Sequence, residues 1–255
     1  MYSKDSEVCL AVREINKSYG EHKILSNLSF NIQGGSIVVL MGTNGAGKTT
    51  LFNIISGFMK QDSGTVLFKG TSIDKLDSYK IARMGMGRSF QDMRLIGRLS
   101  VMDNLMLAFS GQSGENWWNT FFPRRKDKEG QRLNSIKAVE ILKMCFIDDV
   151  ADNYADEISY GQQKLLNLAC CIAEGSDLLL LDEPVAGVNM SFREKIADVI
   201  MLLKQSGKTL LIIEHNSDFI ESVADRIIFL HDGTISTFDS YQLFSNDEFV
   251  KNAYV

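Results

Sequence analysis

The chain has 255 residues, enough for one large or two small domains around a sizeable core. A net charge of −5 argues against general nucleic-acid binding. Cys9, Cys145, Cys170 and Cys171 have neither C-x-x-C spacing nor paired histidines, which argues against a zinc site or disulfide framework and for free thiols in a reducing cytoplasm. The N-terminal residues form no apolar stretch, so no signal peptide is expected. The longest apolar run, Leu178–Leu181, lies between Asp177 and Asp182 and is far too short to cross a bilayer. Any membrane role is expected to be that of a soluble subunit.

In chain order, Glu7–Ile15 and Ile24–Ile32 read as strands, with Tyr19 between them able either to stack on a purine or simply to pack. Gly34-Gly35 turns the chain into Ser36–Met41, a continuous apolar strand. Gly42-Thr43-Asn44-Gly45-Ala46-Gly47-Lys48-Thr49 follows and fits G-x-x-x-x-G-K-[ST], the phosphate-binding P-loop. Its glycines let backbone N–H groups turn inward around a polyphosphate, Lys48 adds a point charge, and the Thr49 hydroxyl suits Mg²⁺. Lys48–Gly57 reads as the helix whose N-terminus favours the anion.

Gly64–Lys69 alternates like a strand, and Asp77–Met84 has helical composition. In Gly87-Arg88-Ser89-Phe90-Gln91-Asp92, a strand ending in Gln91 would bring an amide to a metal–phosphate cluster; the other reading is a surface glutamine. Leu99–Phe109 reads as a helix capped by Ser100, with Asp103 at the capping-box position. Residues 110–128 carry Trp117-Trp118, Phe121-Phe122 and Arg124-Arg125-Lys126 and read as a long loop or insertion. It either faces a partner or lipid headgroups or packs its own aromatics. Gln131–Cys145 has the apolar spacing of an amphipathic helix.

Ser159 suits an N-cap before the helical run Lys164–Ala173, and Gly161 keeps the approach to that helix end free of a Cβ. An anion site and a plain capped helix both fit. Asp177–Pro184 is a buried parallel-type strand with Asp182 and Glu183 at its carboxyl end, where open α/β sheets hold ligands. In a chain with a P-loop this is a Walker B element, its Asp serving the Mg²⁺ shell and the adjacent Glu the attacking water. Ser191–Lys204 reads as a helix, and Thr209–Ile213 as a strand ending at Glu214-His215, where the histidine is either structural or a γ-phosphate contact. Asp225–His231 and Gly233–Phe238 read as a hairpin about Asp232-Gly233, and the tail from Ser240 as polar and helical.

Together these residues resemble the ATP-binding subunit of ABC transporters over essentially the whole chain. Gln91 falls at the Q-loop glutamine, Ile158-Ser159-Tyr160-Gly161-Gln162 at the LSGGQ signature, Ala186-Gly187-Val188-Asn189 at the D-loop and His215 at the switch histidine. No N-K-x-D guanine reader is present; Asn16-Lys17-Ser18-Tyr19 lacks the Asp. The resemblance implies an α/β P-loop NTPase core with an antiparallel β subdomain and an inserted α-helical signature subdomain at about 92–175, within one nucleotide-binding domain spanning 1–255.

It also implies ATP and Mg²⁺ as ligands. Tyr19, Gly42, Thr43, Asn44, Gly45, Ala46, Gly47, Lys48, Thr49, Thr50, Ser159, Gly161 and Gln162 would contact nucleotide. Thr49, Gln91 and Asp182 would serve the metal, and Glu183, His215 and Gln91 would act in hydrolysis. The implied partners are transmembrane permeases, a second ABC ATPase and, indirectly, a solute-binding protein, with no nucleic acid; the implied location is peripheral, on the cytoplasmic face of the membrane. The run Gly87–Ala108, the insertion, the Tyr-Gly signature, the D-loop and Val250–Val255 look like the branched-chain amino acid importer branch, whose relatives also serve urea and short amides. Thr43, Tyr160, Asn189 and Cys170 depart from the general pattern, and Cys170 puts one structural ion pair in doubt. A lipid or lipopolysaccharide exporter ATPase, a soluble non-transport ABC ATPase and a non-hydrolysing subunit are the competing readings.

Overall fold

Alternating strands and continuously apolar strands end up in two different sheets. The computed structural model describes residues 7–89, 95–109 and 125–253, without the side chains of 125–128. The strands are β1 (Val8–Tyr19), β2 (His22–Gln33), β3 (Ile37–Gly42), β4 (Ser63–Phe68), β5 (Thr71–Ser72), β6 (Met86–Arg88), β7 (Leu178–Asp182), β8 (Thr209–Ile213), β9 (Arg226–His231) and β10 (Thr234–Phe238). The helices are α1 (Lys48–Ile55), α2 (Ser78–Arg83), α3 (Val101–Ala108), α4 (Arg125–Met144), α5 (Tyr160–Ala173), α6 (Met190–Gln205), α7 (Ser217–Val223), α8 (Tyr241–Asn246) and α9 (Glu248–Ala253).

The first sheet is antiparallel, in the order β2-β1-β4-β5. In β2, Leu28, Phe30 and Ile32 point into the core while the residues between them face outward, as expected for a sheet with one wet face. The second sheet runs β10-β9-β3-β8-β7-β6 and is parallel except for the edge hairpin β9–β10. Every residue of β3, β7 and β8 is buried, because both faces of this sheet are covered. The hairpin turns at Asp232 (φ 44°) and Gly233 (φ 70°), the pair of positive dihedrals that a tight two-residue turn requires. The register places Gly42, Asp182 and Ile213 at the carboxyl ends of β3, β7 and β8.

One core joins both sheets to α1: Leu51, Phe52, Ile54 and Ile55 pack with Leu10, Leu25 and Phe68 and with Val38, Leu180 and Leu211. The chain divides into two compact units, one of Met1–Arg88, Asp177–Pro184 and Ile200–Val255, the other of Ser89–Ser176 and Val185–Val199. Both sheets lie in the first unit. The described part of the second is helical: α3, α4, α5 and the first turns of α6.

In the second unit Ser100 caps α3, accepting from Asp103 N at 3.0 Å. Buried Asn104 accepts from Ile96 N at 2.8 Å and donates to the carbonyls of Ile96, Leu99 and Ser100, fixing the approach to that helix. Cys170 lies beside α3, its thiol donating to the Asn104 carbonyl at 3.8 Å, a weak S–H contact. All four cysteines are free, and burial pushes the Cys145 and Cys170 thiols up to about 12.

Three expectations need correction. α4 begins at Arg125, so 125–128 is helical rather than loop; the first turns, RKDKEG, are built from residues that mostly favour helix but carry no apolar stripe to reveal it. The strand before Gln91 stops at Arg88, and Gln91 itself lies outside the described residues, as do Trp117, Trp118, Phe121, Phe122 and Arg124. β1 continues to Tyr19, beyond Ile15, because polar Asn16, Lys17 and Ser18 still pair with β2 or β4.

Phe52 is fully buried where α1 meets both sheets. Phe52→Ala is expected to lose about 3–5 kcal/mol in chemical denaturation; a loss below about 1 kcal/mol would show that α1 is not wedged as described.

Candidate active site

The loop between β3 and α1 takes its shape from two glycines. Gly42 has φ 156°, and a Cβ there would run into the Leu230 carbonyl oxygen of β9. Gly47, at the N-cap of α1, has φ 101°, and a Cβ would come within 2.8 Å of Ile24 Cγ2 and 2.9 Å of Leu25 Cδ2. No side chain caps this helix and no acidic residue occupies its first turn, so neither local device answers its leading N–H groups and positive dipole end. Lys48 is buried and donates to the carbonyls of Gly42 at 2.7 Å and Thr43 at 2.9 Å. Burial lowers its pKa from the ordinary 10.5, while the Glu183 and Asp182 carboxylates pull in the opposite direction.

Those carboxylates come from β7. Asp182 is buried at the strand's last position, opposite Ile213. Glu183 follows in the left-handed region (φ 49°), unusual for a residue with a side chain, and its N–H donates to the Ile213 carbonyl at 3.0 Å. The turn brings Glu183 Oε1 to 3.3 Å from His215 Nε2, beyond the end of β8. Between them, Glu214 is buried and accepts from the backbone N–H groups of His215 at 2.7 Å and Asn216 at 3.1 Å. Asn216 in turn caps α7, accepting from Phe219 N at 3.0 Å. Nothing in the local pattern marks this anchoring role, which depends on burial of the Glu214 carboxylate against backbone N–H groups.

A cavity of about 280 Å³ is lined by Asn44, Gly45, Ala46, Gly47, Lys48, Thr49 and Thr50 together with Ile24, Glu183 and His215. The structure thus gathers most of the P-loop, the carboxylate and the histidine expected from the sequence, and adds Ile24 as an apolar wall. Tyr19 does not line this cavity. It is half exposed, its hydroxyl donating to Met59 Sδ at 3.1 Å and its ring 5.8 Å from the Lys17 ammonium.

Thr49 and Asp182 are hard oxygen donors. Among the described residues no three acidic, histidine or cysteine side chains form a metal cage. A donor set this small fits Mg²⁺, which is usually bound by one or two protein oxygens with phosphate and water completing the shell.

Ser159, Gly161 and Gln162 belong to the second unit. Ser159 and Gln162 form a complete capping box: Gln162 N donates to Ser159 Oγ at 3.4 Å and Ser159 N to Gln162 Oε1 at 3.0 Å. Gly161 is buried, and a Cβ there would run into the ring of Phe192, so this glycine is required by packing against α6 rather than by an open approach alone. Tyr160 reaches the D-loop, where a Cβ on Gly187 would lie 3.2 Å from its Cε1. Asn189 accepts from Phe192 N at 3.1 Å, so the signature and D-loop residues share one packed neighbourhood.

Residues 25–186 match the ABC transporter family. The chain is 32% identical over 226 residues to a probable branched-chain amino acid transport ATP-binding protein, LivG, of Archaeoglobus fulgidus, covering 89% of this chain and 87% of that one. It resembles the solved ADP conformation of MJ1267, an ATP-binding cassette of an ABC transporter, with a TM-score of 0.82 and 28% identity, covering 97% of this chain and 98% of that one. It also resembles a dimeric post-hydrolysis state of the cassette MJ0796 bound to ADP and Pi, with a TM-score of 0.73 and 25% identity, covering 90% and 98% respectively. The chain belongs to the ABC transporter family and is an ATP-binding subunit with the ATPase fold of that family. Among the described residues no helix is long and apolar enough to cross a membrane.

Because burial lowers the Lys48 pKa, holding the charged form opposes folding below its folded pKa, and that opposition fades as pH rises toward 10.5. Lys48 lines the P-loop cavity as a point charge for phosphate, so Lys48→Ala is expected to abolish nucleotide affinity; because the buried charge itself opposes folding, the thermal midpoint is expected to move by less than about 4 °C. Unchanged binding in a titration with a fluorescent ATP analogue would remove Lys48 from the phosphate site.

Proposed function

We propose that the chain powers solute import as the ATP-hydrolysing subunit of a membrane transporter, most closely one for branched-chain amino acids or related amides and urea. The observation that carries the hydrolytic reading is a cavity lined by Glu183 and His215 together with the P-loop. The P-loop N–H groups and Lys48 bind the β- and γ-phosphates. Glu183 orients the attacking water and accepts its proton, held by the strand-end turn and by His215. His215, its backbone pinned by Glu214, holds the γ-phosphate. Thr49 and Asp182, with Gln91, would hold Mg²⁺, which when bound neutralises phosphate charge.

The capped N-terminus of α5 acts on the γ-phosphate of ATP held by a second ABC ATPase, identical or similar, so that two nucleotides close a two-fold pair. The dimeric MJ0796 cassette supports this arrangement. Permeases anchor the pair at the cytoplasmic face of the membrane, and an extracytoplasmic solute-binding protein delivers cargo. The importer branch is favoured over an exporter by the LivG relative and by the Ala-Gly-Val-Asn D-loop. The intact set of Lys48, Asp182, Glu183 and His215 is what a non-hydrolysing subunit would lack.

A pull-down of the tagged chain from detergent-solubilised native membranes tests the assembly. Recovery of two multi-span permeases and a second, similar ATPase is expected. Recovery of soluble partners alone, with the chain absent from membranes, would overturn the transport reading.

A further inference from the structure

One largely enclosed cation in the first unit takes no part in the chemistry above. Arg88 is the last residue of β6 and the last of the first unit before the chain leaves it, and its side chain is only 9% exposed. Its Nη1 donates to Asn53 Oδ1 at 2.8 Å and to Ser56 Oγ at 2.7 Å, both at the carboxyl end of the P-loop helix α1. Its guanidinium lies 5.7 Å from the Phe52 ring and 5.6 Å from the Phe58 ring. Its Nη2 is 3.9 Å from Asp182 Oδ2. The charge therefore sits at the negative end of the α1 dipole, is held by two hydrogen bonds and two rings, and faces the carboxylate at the end of β7.

We propose that Arg88 is a positioning residue for Asp182: it ties the carboxylate to the far end of the P-loop helix, so that the strand-end oxygen and the loop bearing Thr49 keep one spacing. This rests on the reading of Asp182 as a metal-serving carboxylate. The geometry suits Arg and not Lys. A planar fork donates to Asn53 and Ser56 from one nitrogen while the other faces Asp182, and the flat face stacks; an ammonium is a point charge without that plane. Without this partner a buried Asp182 loses part of the positive charge around it and a link to the far end of α1, which loosens its position.

The test is equilibrium binding of a fluorescent ATP analogue to the purified full chain, titrated with Mg²⁺ and repeated in EDTA. Arg88→Met is expected to weaken the apparent Mg²⁺ affinity about 10–100-fold, the usual effect of losing an outer-shell partner, with metal-free nucleotide binding unchanged. Arg88→Lys, which keeps the charge and serves if the methionine variant does not fold, is expected to shift Mg²⁺ affinity in the same direction. The double variant with Asp182→Asn is expected to be no worse than Asp182→Asn alone. If Asp182→Asn removes the Mg²⁺ dependence while both Arg88 variants keep it, the positioning role is overturned and the metal reading survives. If Asp182→Asn itself leaves the Mg²⁺ dependence intact, the metal reading fails and the Arg88 proposal with it. Equal loss of metal-free and Mg²⁺-dependent binding in Arg88→Lys would mark Arg88 as merely structural.

Discussion

A buried ammonium facing two carboxylates at the end of one parallel strand is the constraint that organises this molecule. Lys48 is taken out of water at the start of α1, where the helix dipole already repels a cation. It is tolerated because the Gly42 and Thr43 carbonyls accept its protons and because β7 delivers Asp182 and Glu183 nearby. Each of these conditions places a demand on the fold. The carbonyls point inward only if the loop adopts dihedrals that glycines allow. The carboxylates arrive only if β7 and β3 flank β8 in one parallel sheet. A polyphosphate entering this loop meets N–H groups and a cation already assembled, which is the condition for electrostatic catalysis without reorganisation.

The carboxyl ends of β3, β7 and β8 do different work because different residues follow them. After β3 come glycines and a helix start; after β7, a buried Asp and a Glu forced into the left-handed region; after β8, a buried Glu that fixes the backbone of His215. The fold sets the strand ends side by side, and the residues just beyond them decide the chemistry. Arg88 adds a fourth strand end to this set from the edge strand β6, holding the far end of the P-loop helix and facing Asp182.

Much of this was legible in the sequence, for identifiable reasons. The P-loop announces itself because its glycines, lysine and threonine are each required at fixed spacing. β7 is readable because four consecutive leucines have no place on a surface, and Ser159 because a capping box is a local device. What escaped depends on distant partners. Nothing local marks Arg88 or Glu214; their roles come from the donors and acceptors that the fold brings to them. Gly161 read as clearance for a ligand, whereas the ring of Phe192 already occupies that side. The start of α4 was missed because charged helix turns facing solvent carry no apolar period, and β5 because two exposed residues make no pattern at all.

Glu183, set by its strand-end turn against His215, is proposed as the group that activates water at a phosphate held by the P-loop. The most direct test of this role compares the purified chain with Glu183→Gln, measuring ATP binding and hydrolysis on the same preparations. Retained binding with hydrolysis lowered by about 10²-fold or more is expected. Near-normal turnover by the glutamine variant would remove Glu183 from this role.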